Sequence, residues 1–189
     1  MMRDLIFKNR SYRRFDSSVS IDFQTLRDLV DLARLSASVS NKQPLKYILS
    51  NDPQKNALIF TYLKWAGHLK DWAGPTEAER PAAYIIILGD TQITDSFEVD
   101  HGIAAQSILL GATEMGLGGC MMGGMDKDGL RKALEIPDRY KILLVIVLGK
   151  PNEIVKLETL GPSGDFMYWR DEAGVHHVPK RPLDEIIIG

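Results

Sequence analysis

The chain has 189 residues, of which 23 are Lys or Arg and 25 are Asp or Glu, so the formal net charge is −2 with neutral histidines. The hydrophobic share of 44% and the charged share of 25% are typical of a globular domain that buries a core without metal or disulfide staples. Because nucleic-acid binding needs a strongly basic face, we expect no nucleic-acid partner. The composition predicts one domain over residues 1–189.

The longest apolar runs, Ala82–Leu88 and Ile142–Leu148, are short. A helix that crosses a bilayer needs about 20 apolar residues, so no membrane association is expected. Charged residues near the N-terminus interrupt the apolar stretch that a signal peptide requires. The single cysteine, Cys120, cannot form an internal disulfide, which is consistent with a reducing compartment. These features predict a cytoplasmic protein.

The first half of the chain contains one clear helix signal and one clear strand signal. Apolar residues at helical spacing predict an amphipathic helix over residues 22–35, with Ser20 and Asp22 as capping candidates. The run 82–88 is rich in β-branched residues and is followed by glycine, as is the later run 142–148. Both patterns are typical of central strands that are buried on two faces.

Residues 100–115 lie between these strands and are mostly apolar or small, which predicts a helix buried on all sides. Small residues would let another helix approach closely, in this chain or in a second copy: Gly102, Ala105, Gly111 and Ala112. Asp126 is expected to cap a short helix, and residues 160–178 are expected to form a loop or hairpin. The order of elements predicts an α/β (α+β) fold with a central mixed sheet surrounded by helices.

Several catalytic signatures are absent or incomplete in the sequence. A glycine cluster over residues 116–124 comes nearest to a dinucleotide-binding fingerprint, but Met121 stands where the third glycine is needed. His176 and His177 are adjacent, so they would point to opposite faces of a strand, and neither has a ligand residue at metal-binding spacing. We therefore expect neither a Rossmann cofactor site nor a metal site.

Two single residues are candidates for chemistry. Cys120 lies among glycine and methionine without a His or Arg nearby in sequence, which favours a small buried hydrophobic residue over a nucleophile. His68 could be a general acid, but it lacks a visible carboxylate partner, so a surface or core histidine is the favoured interpretation.

Two polar clusters are more informative. Residues 9–16 place three guanidinium groups and a hydroxyl in a short turn, which suits an anion such as phosphate; a solvated basic turn at a helix end explains this segment equally well. Residues 38–44 crowd amide and hydroxyl groups into a loop after the amphipathic helix. Such groups can contact the edge of a flat heterocycle, although turns and caps use the same residue types.

The motifs occur in a recognisable order: Arg10–Phe15 as Arg-Ser-x-Arg-x-Phe, residues 33–44 ending in Asn-x-Gln-Pro, residues 100–106 followed by the glycines 116–124, Leu148–Pro151, and Pro179–Leu183. Together they resemble the FMN-dependent nitroreductase family along nearly the whole chain. The chain departs from the family pattern at Ala37, where a proline is usual, and it is short for the family.

The resemblance implies a homodimer with two FMN sites at the subunit interface, each built from both chains. Arg10 and Arg13 would then bring positive charge near the flavin phosphate and the N1/O2 edge. Gly123 and Gly124 would bring backbone groups beside the ring, although a plain strand-to-helix turn also explains them. The residues expected to bind FMN are Arg10, Ser11, Arg13, Ala37, Ser38, Val39, Asn41, Gln43, Gly123, Gly124, Lys180 and Arg181.

The activity implied by the resemblance is a ping-pong oxidoreductase. NADH or NADPH would reduce FMN, and a small-molecule acceptor such as a nitroaromatic or a quinone would take the electrons, with no side chain acting as a catalytic residue. Two alternatives stay open. The protein could bind flavin without efficient turnover, or it could be a related flavin enzyme that is dedicated to one metabolite.

Overall fold

Two apolar strands, β3 (Ala83–Asp90) and β5 (Tyr140–Pro151), form the centre of the protein in a computed structural model that describes residues 1–69 and 71–189. They pair in antiparallel fashion from Ala83 opposite Leu148 to Asp90 opposite Tyr140. Every residue of β3 is buried. Both apolar runs in the sequence are therefore central strands, as their composition predicts.

Three further strands complete this sheet. Strand β2 (Leu45–Ser50) pairs with β3, whereas β1 (Phe15–Asp16) and β4 (Gly118–Met122) pair with β5. All four ladders are antiparallel, and a parallel contact enters through an isolated bridge between Ser11 and Gly119. The expected α+β class is confirmed. In the described part of the chain, the parallel contact that makes the central sheet mixed is this bridge.

Helices cover both faces of the sheet. The α-helices are α1 (Met2–Lys8), α2 (Phe23–Leu35), α3 (Pro53–Thr61), α4 (Asp100–Glu114), α5 (Lys127–Ala133) and α6 (Leu183–Ile186), with 3₁₀ helices at Val39–Asn41 and Glu77–Glu79. Because side chains alternate along a strand, Ile85 and Ile87 pack with α2 and α4, whereas Tyr84 and Ile86 pack with α3 and α5. The result is a helix–sheet–helix arrangement with a core on each face.

Helix α4 uses its small residues mainly within the chain. A Cβ atom at Gly111 would lie 2.3 Å from Cδ1 of Leu32, so the absence of a side chain allows α2 to pack closely against α4. Ala105 and Ala112 are fully buried in the same core. Gly102 differs, because nothing lies within 4 Å of the position that its Cβ would take. Of the small residues, Gly102 is thus the one left open on the surface of α4.

A second, smaller sheet follows β5. Strand β8 (His176–Lys180) pairs in parallel with β6 (Val155–Thr159) and in antiparallel fashion with β7 (Trp169–Arg170). A turn closed by the Gly174 N–H donating to the Asp171 carbonyl, at 2.9 Å, joins β7 to β8. Residues 160–178 were predicted to form a loop or hairpin, and the β7–β8 pair shows that they include a hairpin.

The predicted cap of α5 is present. The Asp126 side chain caps α5 by accepting a hydrogen bond from the Gly129 N–H at 3.0 Å. Among the described residues, no helix is both long enough and apolar enough to span a lipid bilayer.

Strand β2 and helix α3 were not predicted from the sequence. Strand β2 is only partly buried along most of its length, which weakens the alternation of apolar and polar residues that marks a strand.

Candidate functional site

The basic segment after α1 is attached to strand β4. Its anchor is the backbone of Gly119, which forms the bridge to Ser11 and accepts a hydrogen bond from the Tyr12 N–H at 3.0 Å. A Cβ atom at Gly119 would lie 2.3 Å from the carbonyl oxygen of Val147, so only glycine fits this close approach without a backbone shift. The sheet therefore determines where the Arg10–Arg14 segment lies.

Arg10 keeps an unused donor at this position. Its Nη2 donates to the Ile6 carbonyl at 2.6 Å, whereas its Nε is buried and has no hydrogen-bond partner in the described part of the chain. Burial lowers the pKa of Arg10, because desolvation disfavours the cation. A half-buried guanidinium whose Nε has no partner among the described residues is suited to pairing with an anion.

Arg13 and Arg14 point to different surroundings. The Arg13 guanidinium lies 4.8 Å from the centroid of the Tyr168 ring, and its Nη1 lies 3.4 Å from Nε2 of His176. The Arg14 Nε lies 3.4 Å from Glu79 and its guanidinium is 5.8 Å from the Trp72 ring. Neighbouring residues in an extended segment point in opposite directions, which explains this divergence.

Glu153 holds the backbone of both arginines. One of its carboxylate oxygens accepts hydrogen bonds from the backbone N–H groups of Arg13 and Arg14, and the other accepts from Nη2 of Arg170 at 2.9 Å. The Glu153 side chain is only 2% exposed. Sequence reasoning missed this residue, because nothing near residue 153 in the chain indicates that residues 13 and 14 lie beside it.

A second buried carboxylate, Asp100, organises the loop after α2. The Ser38 hydroxyl donates to Asp100 Oδ2 at 2.7 Å and the Val39 N–H donates to Oδ1 at 2.8 Å. The Ser38 hydroxyl in turn accepts from the Gln43 N–H at 2.9 Å. Asp100 is the first residue of α4, so the loop is tied to the start of that helix.

The tip of this loop has an unusual backbone. Ser40, Asn41 and Gln43 have φ angles of 51°, 53° and 52°, in the left-handed region that non-glycine residues rarely adopt. The Gln43 Nε2 donates to the Asn41 side-chain oxygen at 3.1 Å, which supports this conformation from within the loop. Strained backbone of this kind often occurs where a loop presents groups to a ligand.

A cavity of about 230 Å³ lies behind the loop. Its walls come from α2, the loop, β2 and α4: Ala33, Arg34, Ser36, Ala37, Ser38, Gln43, Pro44, Leu45, Lys46, Tyr47, Asp100 and Ala104. Burial, together with the nearby Asp100 charge, raises the pKa of Tyr47 to about 12. The Tyr47 phenol is therefore a neutral hydrogen-bonding group at ordinary pH.

The remaining predicted residues lie elsewhere. Gly123 and Gly124 are exposed between β4 and the Asp126 cap of α5, and the Gly124 carbonyl accepts from the Lys64 N–H at 2.9 Å. Lys64 is thus a neighbour of this turn that the sequence did not indicate. Arg181 forms an ion pair with Glu185 of α6.

Lys180 ends β8, where its carbonyl accepts a hydrogen bond from the Leu160 N–H at 2.8 Å. Within residues 1–69 and 71–189, neither Lys180 nor Arg181 shares a hydrogen-bond or ion-pair partner with Arg10 or Arg13.

One chain keeps the predicted residues in separate groups. The cavity lined by Ser38 and Gln43 includes no residue of the Arg10–Arg14 segment, and no hydrogen bond links that segment to the loop in the described part of the chain. Gly123 and Gly124 do not line this cavity, and they are not part of the Arg10–Arg14 segment. The structure therefore brings together neighbours within each motif but does not unite the motifs in one pocket.

The fold is of the α+β class. It combines a basic segment docked on a glycine-bearing strand with a polar loop at the start of α4, and these features define a known class of protein. The model of the nitroreductase family matches residues 6–150. The chain belongs to this family. The family thus accounts for the central sheet and its helices, whereas the small second sheet lies beyond the matched residues.

Individual relatives are distant. The chain is 25% identical over 162 residues to an FMN reductase (NADPH) of Bacillus subtilis, which covers 78% of this chain and 65% of that relative. A nitroreductase family protein of Streptococcus pneumoniae has the same fold, with a TM-score of 0.70, 20% identity and full coverage of both chains. An FMN-dependent nitroreductase of Clostridium difficile has a TM-score of 0.62 at 23% identity, covering 79% of this chain and 87% of that one.

Cys120 and His68, the two single residues that were considered for chemistry, lie where the favoured interpretations placed them. Cys120 is 3% exposed in β4, and burial raises the pKa of its thiol, so it is not prepared to act as a thiolate. The predicted buried position of Cys120 is confirmed. His68 is exposed at the surface, with its ring 5.0 Å from that of Tyr168, as the favoured interpretation predicted.

The two adjacent histidines occupy opposite faces of β8. His176 is buried, whereas His177 places Nδ1 2.8 Å from Glu158 and Nε2 3.1 Å from Asp171 and stacks on Trp169. No group of three potential metal ligands occurs among the described residues. The sequence did not indicate the two carboxylates beside His177, because they come from β6 and from the β7–β8 turn. Hydrogen bonds to both carboxylates raise the pKa of His177.

We expect this histidine to make the stability of the small sheet depend on pH. A raised pKa in the folded state means that the stabilising contribution of His177 is fully present below the pKa of an unfolded histidine, about 6.5. The contribution is lost as the pH rises through the higher folded pKa. Urea unfolding of the wild type and His177→Gln should show a stability difference that is larger at mildly acidic pH than at alkaline pH, where only the packing of the neutral ring on Trp169 remains.

Asp171→Asn provides the control for this interpretation. With one carboxylate removed, NMR titration of the His177 ring should give a pKa below that of the wild type. A stability difference that does not change with pH, or an unchanged His177 titration in Asp171→Asn, would contradict the assigned hydrogen bonds.

Proposed function

We propose that the protein is an FMN-dependent oxidoreductase that transfers electrons from NADH or NADPH to a small electrophilic acceptor such as a nitroaromatic or a quinone. Family membership and the activities for which the relatives are named support this proposal. The observation that carries it is the basic segment on β4, where Arg10 keeps a buried Nε without a partner in the described residues. Such a donor is costly unless an acceptor satisfies it, and a phosphate oxygen of a bound cofactor would be such an acceptor.

The residues of this segment fit a cofactor with one terminal phosphate. Arg10 and Arg13 supply guanidinium donors, and the exposed Ser11 adds a hydroxyl. The hydrogen bonds from the Arg13 guanidinium to the described residues both use Nη1, which leaves its other nitrogens available. Charged hydrogen bonds from guanidinium to phosphate are among the stronger polar interactions in proteins. We assign the phosphate to Arg10, Ser11 and Arg13.

The other predicted residues would hold the rest of the cofactor. The strained loop presents Ser38, Val39, Asn41 and Gln43, with Ala37 at its start, while Lys180 and Arg181 would add positive charge from the C-terminal segment. Gly123 leaves open space beside its backbone, since no atom lies within 4 Å of a Cβ built there, whereas a Cβ at Gly124 would lie 3.5 Å from Cβ of Lys64. The chemistry that FMN supplies when bound is two-electron transfer between a nicotinamide and an oxidised acceptor. The protein's role is to bind and orient, and no acid or base side chain is assigned.

A homodimer would unite the groups that one chain keeps apart. The loop of one protomer and the basic segment of its partner could then form one site, as the family resemblance implies. Support comes from the C-terminal segment, where Leu183 is 65% exposed and Ile188 is 98% exposed. An apolar segment of this kind is stabilised when a second chain covers it. An open surface around Gly102 on α4 provides a further area for contact.

Flavin content tests the core of this proposal. The purified protein, or apo-protein reconstituted with flavin, should show flavin absorbance bands, and heat should release FMN that chromatography separates from FAD. The physical reason is the donor set, which suits a single terminal phosphate and includes no dinucleotide fingerprint. Oxidation of NADH or NADPH with an acceptor should then follow ping-pong kinetics. Recovery of FAD, or no flavin after reconstitution, would contradict the assignment.

Sedimentation equilibrium tests the dimer. The flavin-loaded protein should sediment with twice the mass of one chain, because burial of the apolar C-terminal segment stabilises the pair. Ile186→Asp and Ile187→Asp should each weaken the dimer, whereas Leu58→Asp should not, since exposed Leu58 lies on α3 across the sheet from α4. A flavin-bound particle with the mass of a single chain would overturn the shared site.

The arginine pair tests the phosphate position. A charged hydrogen bond contributes about 1.5 to 3 kcal/mol, so Arg10→Ala or Arg13→Ala should weaken FMN binding by roughly ten- to a hundredfold in titrations of apo-protein. Arg14→Ala is the matched control, because the Arg14 side chain points towards Glu79 and Trp72 and should change the affinity far less. Equal losses for Arg13→Ala and Arg14→Ala would place the phosphate elsewhere.

A further inference from the structure

The small second sheet and its connections pack against one side of Arg13. Its strands and their connections supply Glu153, Tyr168, Arg170 and His176, and all four lie beyond residue 150, where the family match ends. Each of the four contacts Arg13 or is bonded to a residue that does. The part of the chain outside the family match is thus packed around an arginine that the proposed function uses.

Glu153 acts on the backbone of the basic segment. One oxygen of its carboxylate accepts hydrogen bonds from the backbone N–H groups of Arg13 and Arg14. A third hydrogen bond lies beside them, from the Asn152 N–H to the Arg14 carbonyl, at 2.9 Å. Three hydrogen bonds therefore attach two consecutive residues to the chain that leaves β5. Because both peptide planes are constrained, the directions in which the Arg13 and Arg14 side chains leave the backbone are set as well.

Arg170 offsets the cost of burying the Glu153 carboxylate. A carboxylate with 2% exposure is unfavourable without a cation, and Nη2 of Arg170 provides one at 2.9 Å. The Arg170 guanidinium also lies 4.2 Å from the centroid of the Trp72 ring, which holds it in place through a cation–π contact. Arg170 thus pairs with the Glu153 carboxylate on the side away from the Arg13 and Arg14 N–H groups.

The Arg13 side chain has its own supports from the same sheet. Burial, more than the neighbouring charges, lowers the pKa of His176 to about 4, so the ring is neutral at ordinary pH. In the neutral tautomer that carries its proton on Nδ1, Nε2 of His176 can accept a hydrogen bond from Arg13 Nη1 at 3.4 Å, and the Tyr168 ring packs against the guanidinium. These contacts restrict the rotamers of Arg13 before any ligand arrives.

We propose that Glu153 is a positioning residue for the phosphate of the cofactor, acting through the backbone of Arg13. This inference rests on the proposed function, since it assumes that Arg13 binds that phosphate. A group whose geometry is preset binds its ligand more tightly, because less conformational entropy is lost on binding. The effect of Glu153 should therefore concern the phosphate and not the flavin ring.

Comparison of FMN with riboflavin separates positioning from a general structural role. Riboflavin carries the same ring and ribityl chain without the phosphate, so it lacks the phosphate contact that is assigned to Arg13. In titrations of apo-protein, Glu153→Gln should raise the Kd for FMN by about tenfold and change the Kd for riboflavin by less than about twofold. Glu158→Gln is the matched control, because Glu158 lies on β6 in the same sheet but contacts Lys156 and His177; it should leave both constants unchanged.

A second variant guards against misfolding. Glu153→Met/Arg170→Met replaces the ion pair with apolar side chains of similar length, a change that is often neutral or stabilising for an enclosed pair. It removes the acceptor for the two N–H groups altogether, whereas Glu153→Gln keeps a neutral and therefore weaker acceptor oxygen. If Glu153→Gln does not fold, this double variant should show the same selective loss of FMN affinity. Its thermal unfolding curve establishes that it is folded.

The outcomes are distinguishable. Equal weakening of FMN and riboflavin in the folded variants, or unchanged FMN affinity, overturns the role of Glu153 while leaving the proposed function intact. If the wild-type apo-protein binds FMN no better than riboflavin, the phosphate site itself is wrong, and the inference fails with it. A loss in Glu158→Gln equal to that in Glu153→Gln would attribute the effect to the sheet as a whole and would also overturn the proposal.

Discussion

Strand β5 is the constraint on which the rest of the molecule depends. It pairs with β3 along one edge and with β4 and β1 along the other, so three of the other four strands of the central sheet pair with it. Once its register is set, Gly119 and Phe15 occupy defined positions opposite Leu148 and Pro151. The basic segment that precedes β1 must then run past Gly119. Hydrogen bonding in the sheet thus positions a cationic surface that has no secondary structure of its own beyond short bridges.

Two enclosed carboxylates organise the two polar segments of the candidate site. Glu153 collects backbone donors from Arg13 and Arg14, and Asp100 collects donors from Ser38 and Val39. Each carboxylate lies on or directly after a regular element, α4 or β5, and each therefore transmits the rigidity of that element to an irregular segment. Because charged hydrogen bonds are stronger than neutral ones, one acidic residue can replace several weaker loop contacts. Irregular backbone can be as well defined as a strand when its donors converge in this way.

Local patterns predicted the regular elements that carry a strong periodic signal. Helix α2, the buried strands β3 and β5, helix α4 and the Asp126 cap all follow from apolar spacing or capping chemistry within a few residues. Strand β2 lacked that signal because most of its residues are only partly buried. The small residues of α4 were correctly recognised as a packing surface, but whether they contact α2 or a second chain depends on which helix lies opposite. At Gly111 that helix is α2.

By itself, the sequence determined the α+β class, the central strands and the family resemblance, because each depends on residue types at short and regular separations. Only the tertiary structure decided which groups the site residues face. Glu153 lies 140 residues from Arg13 along the chain, and His177 meets its two carboxylates from neighbouring strands and a turn. Contacts of this kind arise from strand register and side-chain direction over long separations. No local pattern in a single sequence encodes them.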